Sequence, residues 1–389
     1  MNISSTLFAK TIKQKFIENN EEFYDGGLGE NPLPQPQCLI DTVIEHSHLK
    51  EYTSAKGVLE LQKLLGNNII VGNGLKPLLF TIQLTFHKLY PDGIIYHLVP
   101  FWVSYEEQTK ILGVKNQRIV PEDKVNWKIT ANDLRKNLAK NEKSLIIFNN
   151  PNNPSGCIYS KKEVESLAKV LNEYDCIVIA DDIYEKVVHK DVDFGQIKNY
   201  YEKTISGSSL SKMVSCGGYR LGWLIFPECL KELYETMNII ASSLYSCPSV
   251  MFQYVAIKTL KFEDEIKKYL AIQQDFYTKI KEFVIQELKK TKIIFSESNG
   301  GWYILLNFDN YKEQLRKIGI CNSHQLSKYL IDEFKIIMVA GQNFGIEEHL
   351  TLRYSYIDIQ EIDMENEDFN LEKISILLYL LQNWLNKIN

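Results

Sequence analysis

From about residue 70 to 225, short apolar runs alternate with amphipathic stretches, and no other property of the chain narrows its fold as much. Apolar runs of strand length, separated by segments long enough to cross back over a sheet, are the pattern of crossover units around a parallel sheet. The clearest predicted strands are 94–99, 145–148, 177–180 and 221–226. Between two of them, Val164, Leu167, Ala168 and Leu171 form one stripe within 161–174, the signature of a helix lying on a sheet. A long helix is predicted over about 263–290, where Ile266, Leu270, Phe276, Ile280, Phe283 and Val284 recur at helical intervals and charges fill the other face. Its length suits a spine between domains. A Gly300-Gly301 turn, a strand at 302–306, a helix near 325–334 and a strand near 336–339 then predict a smaller α/β unit.

The chain has 389 residues, enough for two domains or one large domain with an attachment. Lys and Arg total 44 against 49 Asp and Glu, a formal charge of −5, without the basic stripe that a phosphate backbone demands, so no nucleic-acid partner is expected. The longest apolar stretches, such as 374–381, fall well short of the roughly 20 residues of a membrane-spanning helix, and the N-terminus lacks an apolar leader segment. No membrane association and a soluble, cytoplasmic protein are therefore expected. Seven cysteines are scattered singly without CxxC spacing, and His46 and His48 stand two apart, so neither a disulfide framework nor a metal site is indicated.

Polar residues gather where the predicted strands end, and ligands of open α/β sheets sit just outside the carboxyl ends of the strands. Val71-Gly72-Asn73-Gly74-Leu75-Lys76-Pro77 leads into the apolar run 78–86. Pro77 fits a first helical turn, and the glycines leave N–H groups exposed at the positive end of the helix, where a phosphate binds. Neither GxxxxGK[ST] nor GxGxxG is present, which leaves nucleotide binding without support. Asn149-Asn150-Pro151-Asn152-Asn153-Pro154-Ser155-Gly156 follows one strand, a polar turn on its own terms. The strand 177–180 runs into Asp181 and Asp182, carboxylates that are costly to bury without a cationic or hydrogen-bonding partner. Ser208-Ser209-Leu210-Ser211-Lys212 is followed eight residues later by Arg220 in Gly218-Tyr219-Arg220-Leu221-Gly222-Trp223. Hydroxyls, a lysine and an arginine so placed describe a phosphate site with an amine beside it.

In this order the motifs resemble the fold-type I, class I/II aminotransferases that use pyridoxal 5′-phosphate (PLP), over about 28–356 and most specifically in SxSK followed by GYRLGW. The resemblance implies an α/β fold: a large PLP-binding domain at 31–265 with a mostly parallel central sheet flanked by helices, a smaller α/β domain at 266–389, and an N-terminal arm at 1–30 packed with the smaller domain. Lys212 resembles the Schiff-base lysine, whose amine also moves the proton between the substrate Cα and C4′ of the cofactor. Asp181, first in a stretch similar to the family's DEIY, would pair with the pyridine nitrogen, with Asp182 as its rival. Tyr184 and Asn153 would donate to the phenolic oxygen and tune the imine. The phosphate would be held at Gly74 by the N–H groups of Leu75 and Lys76, by the hydroxyls of Ser209 and Ser211, and by the fork of Arg220.

Trp102, in Pro100-Phe101-Trp102-Val103-Ser104-Tyr105, looks like the tryptophan that stacks on the cofactor ring. Arg353, in Thr351-Leu352-Arg353-Tyr354-Ser355-Tyr356, resembles the arginine that clamps the substrate α-carboxylate, with Gly29 and Asn153 facing the substrate beside it. Tyr52 looks like the tyrosine that reaches the phosphate of a neighbouring subunit, which implies a homodimer with shared sites. The chain departs from the pattern in three places: Leu75 stands where a small residue is usual, 339–345 lacks the loop's proline, and Asn31-Pro32 replaces Pro-Asp. The implied reaction is transamination between an L-amino acid and a 2-oxo acid. β-Elimination or synthase-type γ-closure is the alternative, because Lys212, Asp181 and Arg353 serve each of them.

Overall fold

The computed structural model describes residues 5–364 and 368–388. The chain begins with helix α1 (Ser5–Glu18), strand β1 (Tyr24–Asp25), and helices α2 (Gln37–His46) and α3 (Leu59–Leu65). Strand and helix then alternate: β2 (Ile69–Gly72), α4 (Leu75–Leu89), β3 (Ile94–Leu98), α5 (Ser104–Leu112), β4 (Asn116–Ile119), α6 (Ala131–Asn137), β5 (Ser144–Asn149), α7 (Lys161–Leu171) and β6 (Cys176–Asp181). Next come β7 (Thr204–Ser209), the one-turn helix α8 (Leu210–Met213) and β8 (Gly222–Ile225). These strands form one seven-stranded sheet in the order β2-β8-β7-β6-β5-β3-β4. All neighbours are parallel except β8, which runs antiparallel to both β2 and β7. Every residue of β5, β6 and β7 is buried, as expected where helices cover both faces, and in β5 and β6 continuous apolar runs replace an alternating pattern.

Helix α7 starts where a reciprocal cap sets it: Ser160 Oγ accepts the N–H of Glu163 at 3.3 Å, and Glu163 Oε2 accepts the N–H of Ser160 at 2.7 Å. The stripe read from the sequence faces inward, with Val164, Leu167, Ala168 and Leu171 all buried. Helices α9 (Lys231–Tyr245), α10 (Val250–Leu260) and α11 (Asp264–Leu288) follow, the last within one to two residues of the expected long helix.

The remainder comprises β9 (Ile294–Phe295), β10 (Tyr303–Asn307), α12 (Lys312–Lys317), α13 (Ser323–Phe334), β11 (Ile336–Ile337), β12 (Val339–Ala340), β13 (Thr351–Ser355), β14 (Gln360–Asp363), β15 (Asp368–Asn370) and α14 (Glu372–Ile388). Here one expectation is corrected: 336–339 is two short strands, not one. Residues 336–337 pair in parallel with β1, whereas 339–340 pair antiparallel with β13 in the sheet β12-β13-β10-β9. Buried Met338 is the crossing point, its carbonyl accepting the hydroxyl of Ser327 at 2.6 Å instead of a strand neighbour. No described helix is long and apolar enough to cross a membrane, and no group of three potential metal ligands occurs among the described residues.

Candidate active site

The carboxyl ends of β5, β6 and β7 and the start of α4 open into a cavity of about 610 Å³, closed opposite by Tyr303, Arg353 and the segment 27–31. Asp181, the last residue of β6, is buried and faces into it. Its Oδ2 accepts the hydroxyl of Tyr105, its Oδ1 accepts the N–H of Ile183 at 3.2 Å, and its carbonyl accepts Asn149 Nδ2 at 2.9 Å. Burial pushes its carboxyl up to about 6 against the lowering effect of the Tyr105 hydrogen bond. Asp182 does not line the cavity. It is buried beside Lys198, 3.7 Å away, and burial followed by the nearby Glu185 raises its carboxyl well above the usual range. Adjacent residues at a strand end point to opposite sides, so one acid meets the cavity and the other the opposite layer.

Lys212 sits in α8, immediately after β7, and its ammonium donates to the carbonyl of Gly29 and lies 5.4 Å from the ring centre of Trp302. Ser209 caps α8 by accepting the N–H of Ser211 at 3.1 Å, and the side chains of both serines reach the cavity wall. Gly74 precedes α4 with φ +93°, and an added Cβ there would lie 2.3 Å from Arg220 Nη2. A Cβ on Gly222 would similarly meet the N–H nitrogen of Leu75 at 2.6 Å. These two glycines let the first turn of α4 and the Arg220 fork converge, with Arg220 held by the carbonyls of Gly217 at 2.8 Å and Asn73 at 3.2 Å. Trp102 lines the cavity beside them, with Lys76 Nζ 4.5 Å from its ring centre.

On the far wall, Arg353 projects from β13 and is buried. Its Nη1 donates to Asn153 Oδ1 at 3.1 Å and its Nη2 to the carbonyl of Gly27 at 2.7 Å, and its guanidinium stacks 4.6 Å from the ring centre of Tyr303. Its Nε is buried without a hydrogen-bond partner in the protein. Tyr184 shares a 2.9 Å hydrogen bond with the Tyr303 hydroxyl. Of the fourteen residues given a site role from the sequence, thirteen stand on or beside this cavity and the rival acid Asp182 does not; nor does the fourteenth, Tyr52. It lies in the loop between α2 and α3, 90% exposed.

The family model described as "Aminotransferase class I and II" matches residues 27–364. The chain belongs to that family. It is 28% identical to an aspartate aminotransferase of Bacillus subtilis, over 95% of this chain and 97% of that protein. It is 25% identical to aromatic-amino-acid aminotransferase 2 of Thermococcus litoralis, over 90% of each. The structure of an aspartate aminotransferase from Thermotoga maritima superimposes with a TM-score of 0.82 at 21% identity, covering 99% of this chain and 98% of the other. The fold is therefore that of the fold-type I PLP enzymes, and the protein is a PLP-dependent aminotransferase that moves an amino group between an amino acid and a 2-oxo acid.

The residues present fit the cofactor. A phosphate suits the glycine-lined gap between α4 and Arg220, and a buried acid at the end of β6 suits a cationic ring nitrogen. Sequence reasoning assigned no role to Tyr105, Asn149 or Tyr303. Tyr105 had a visible signal, because it lies three residues after Trp102 and enters the first turn of α5, whereas Asn149 and Tyr303 read as an ordinary turn and strand residue.

Proposed function

We propose that this aminotransferase holds PLP on Lys212, with Asp181 at the ring nitrogen, Tyr184 and Asn153 at the phenolic oxygen, and Trp102 against the ring. The N–H groups of Leu75 and Lys76, Ser209, Ser211 and Arg220 take the phosphate beside Gly74. The observation that supports this best is the single cavity lined by Lys212, Asp181, Arg220 and Arg353. Bound there, the cofactor supplies an aldehyde carbon for the substrate amine and a ring that accepts electron density from Cα.

The chain's own part is to bind, orient and move protons. Arg353 and Asn153 take the α-carboxylate near Gly29, the fork giving it two parallel charge-assisted hydrogen bonds. Asp181, braced by Tyr105, holds the proton on the ring nitrogen. Lys212 Nζ, no longer bonded to the cofactor while substrate is, would take the proton from substrate Cα and pass it to C4′ of the cofactor, and in the second half of the cycle would carry it from C4′ to Cα of the amino acid formed from the 2-oxo acid. The favoured substrates are dicarboxylic amino acids, a reading supported by the relatives named aspartate aminotransferases.

The same reading includes a homodimer in which Tyr52 reaches the partner's phosphate site, supported by the 90% exposure of Tyr52 and its absence from the cavity wall of its own chain. The division into 1–30, 31–265 and 266–389 is supported by β1, which ties the arm to β11. Seven free cysteines suit a reducing, cytoplasmic setting. Borohydride reduction of the purified protein followed by peptide mass mapping should place the pyridoxyl adduct on Lys212, and an adduct on another lysine would overturn the assignment. A donor screen with 2-oxoglutarate should rank aspartate above phenylalanine and alanine.

A further inference from the structure

Asn31 stands where the family's segment carries proline, and its side-chain amide is completely satisfied. Its Nδ2 donates to the main-chain carbonyl of Lys212 at 3.0 Å and to Gln273 Oε1 at 2.7 Å. Its Oδ1 accepts the hydroxyl of Tyr277 at 2.6 Å and the N–H of Leu33 at 3.1 Å. A main-chain carbonyl can only accept and a main-chain N–H can only donate, so Lys212 and Leu33 together fix which way the amide points. Gln273, fully buried on α11, is fixed in turn because its Nε2 donates to the carbonyl of Lys186 at 3.2 Å. Tyr277, also fully buried on α11, supplies the remaining donor. The network has a single solution.

The same short segment reaches the other end of the site. Two residues before Asn31, the carbonyl of Gly29 accepts the Lys212 ammonium, and the carbonyl of Gly27 accepts Arg353 Nη2 at 2.7 Å. Lys212 is thereby held at both its main chain and its amine by one stretch of chain, which α11 anchors and which also touches the carboxylate-binding arginine. Helix α8 is only one turn long and has little rigidity of its own.

We propose that Asn31 is a positioning residue for Lys212, clasping α8 to the segment 27–31 and to α11 so that the Lys212 amine is aimed at the substrate Cα. This rests on the reading of Lys212 as the cofactor lysine. Asn31→Asp is the same size but offers only acceptors when ionised, so it faces two oxygens, and turning Gln273 to meet it would oppose the Lys186 carbonyl instead. Tyr277→Phe keeps the ring and removes one bond, a milder change for a case in which the first variant folds poorly.

The test is the single-turnover rate per cofactor-bearing site, the dissociation constant for the amino donor from the same series, and hydrogen exchange of the amides in 210–216 in cofactor-free protein. Asn31→Asp should slow the turnover about 10- to 100-fold, the loss expected of a misplaced reacting group, and Tyr277→Phe less. Donor affinity should change by no more than about threefold, and exchange over 210–216 should quicken in both. Rates per loaded site equal to the parent's, with only a lowered Tm, would overturn the proposal. If borohydride mapping finds the cofactor on another lysine, the Lys212 reading itself fails and the clasp with it.

Discussion

At the scale of single residues, Asp181 sets the pH behaviour. Its folded pKa of about 6 lies above the ordinary 3.8, because burial penalises the ionised carboxyl, so stability is undiminished by this group below about pH 4 and is lost as pH rises through about 6. In cofactor-free protein, Asp181→Asn should therefore raise Tm at pH 7.5 and leave it nearly unchanged at pH 4, as scanning calorimetry would show. In loaded protein the same change should slow single turnover by about 100-fold or more, because a neutral amide cannot hold the ring proton. Asp182→Asn, on the side of Lys198, should slow it only a few-fold. Tyr105→Phe removes the hydrogen bond that lowers Asp181, so the acid limb of the pH–rate profile should move to higher pH. Arg353→Lys replaces a fork with a point charge, and donor binding measured in the half-reaction should weaken by about 2 to 5 kcal/mol while PLP is retained.

Among the elements, the start of α4 bears most of the proposed phosphate site in a short stretch of sequence. Gly74 adopts φ +93°, a conformation that costs other residues about 1–3 kcal/mol, and it leaves the space that Arg220 occupies. Gly74→Ala should reduce PLP affinity at least tenfold in equilibrium titration, which corresponds to about 1.4 kcal/mol, with a smaller effect on donor affinity once PLP is bound. Strand β7 makes a second point about elements. Thr204–Ser209 reads Thr-Ile-Ser-Gly-Ser-Ser, with one large apolar side chain, yet it is buried throughout between β6 and β8. Its hydroxyls and small residues admit Leu75 and Leu224 against Gly207, close packing that bulkier strand residues would block.

For the whole molecule, the decisive expectation is that one chain is not a complete enzyme. Tyr52 lies away from the cavity of its own chain and is 90% exposed, so any contact it makes with cofactor must be in a partner. Sedimentation equilibrium should give twice the mass of the chain. Tyr52→Phe should weaken PLP binding by about 1 kcal/mol, the value of one hydrogen bond, without disturbing the dimer. A monomer that binds PLP as tightly as the parent would remove the shared-site reading.

The crossover pattern, α7, the long α11 and the strand-end and helix-start segments whose residues line the cavity were legible in the sequence because each is a local signal: an apolar stripe, a polar cluster at a strand end, or a glycine beside a helix start. The two strands hidden in 336–340, the burial of polar β7, the Tyr105–Asp181 contact and the Asn31 amide were not. These depend on partners far away in the chain: Lys212 is 181 residues from Asn31, and Arg353 is 200 from Asn153. Periodicity reports which face of an element is buried, but a polar side chain has one best partner only after the elements have docked, and that choice belongs to the tertiary structure.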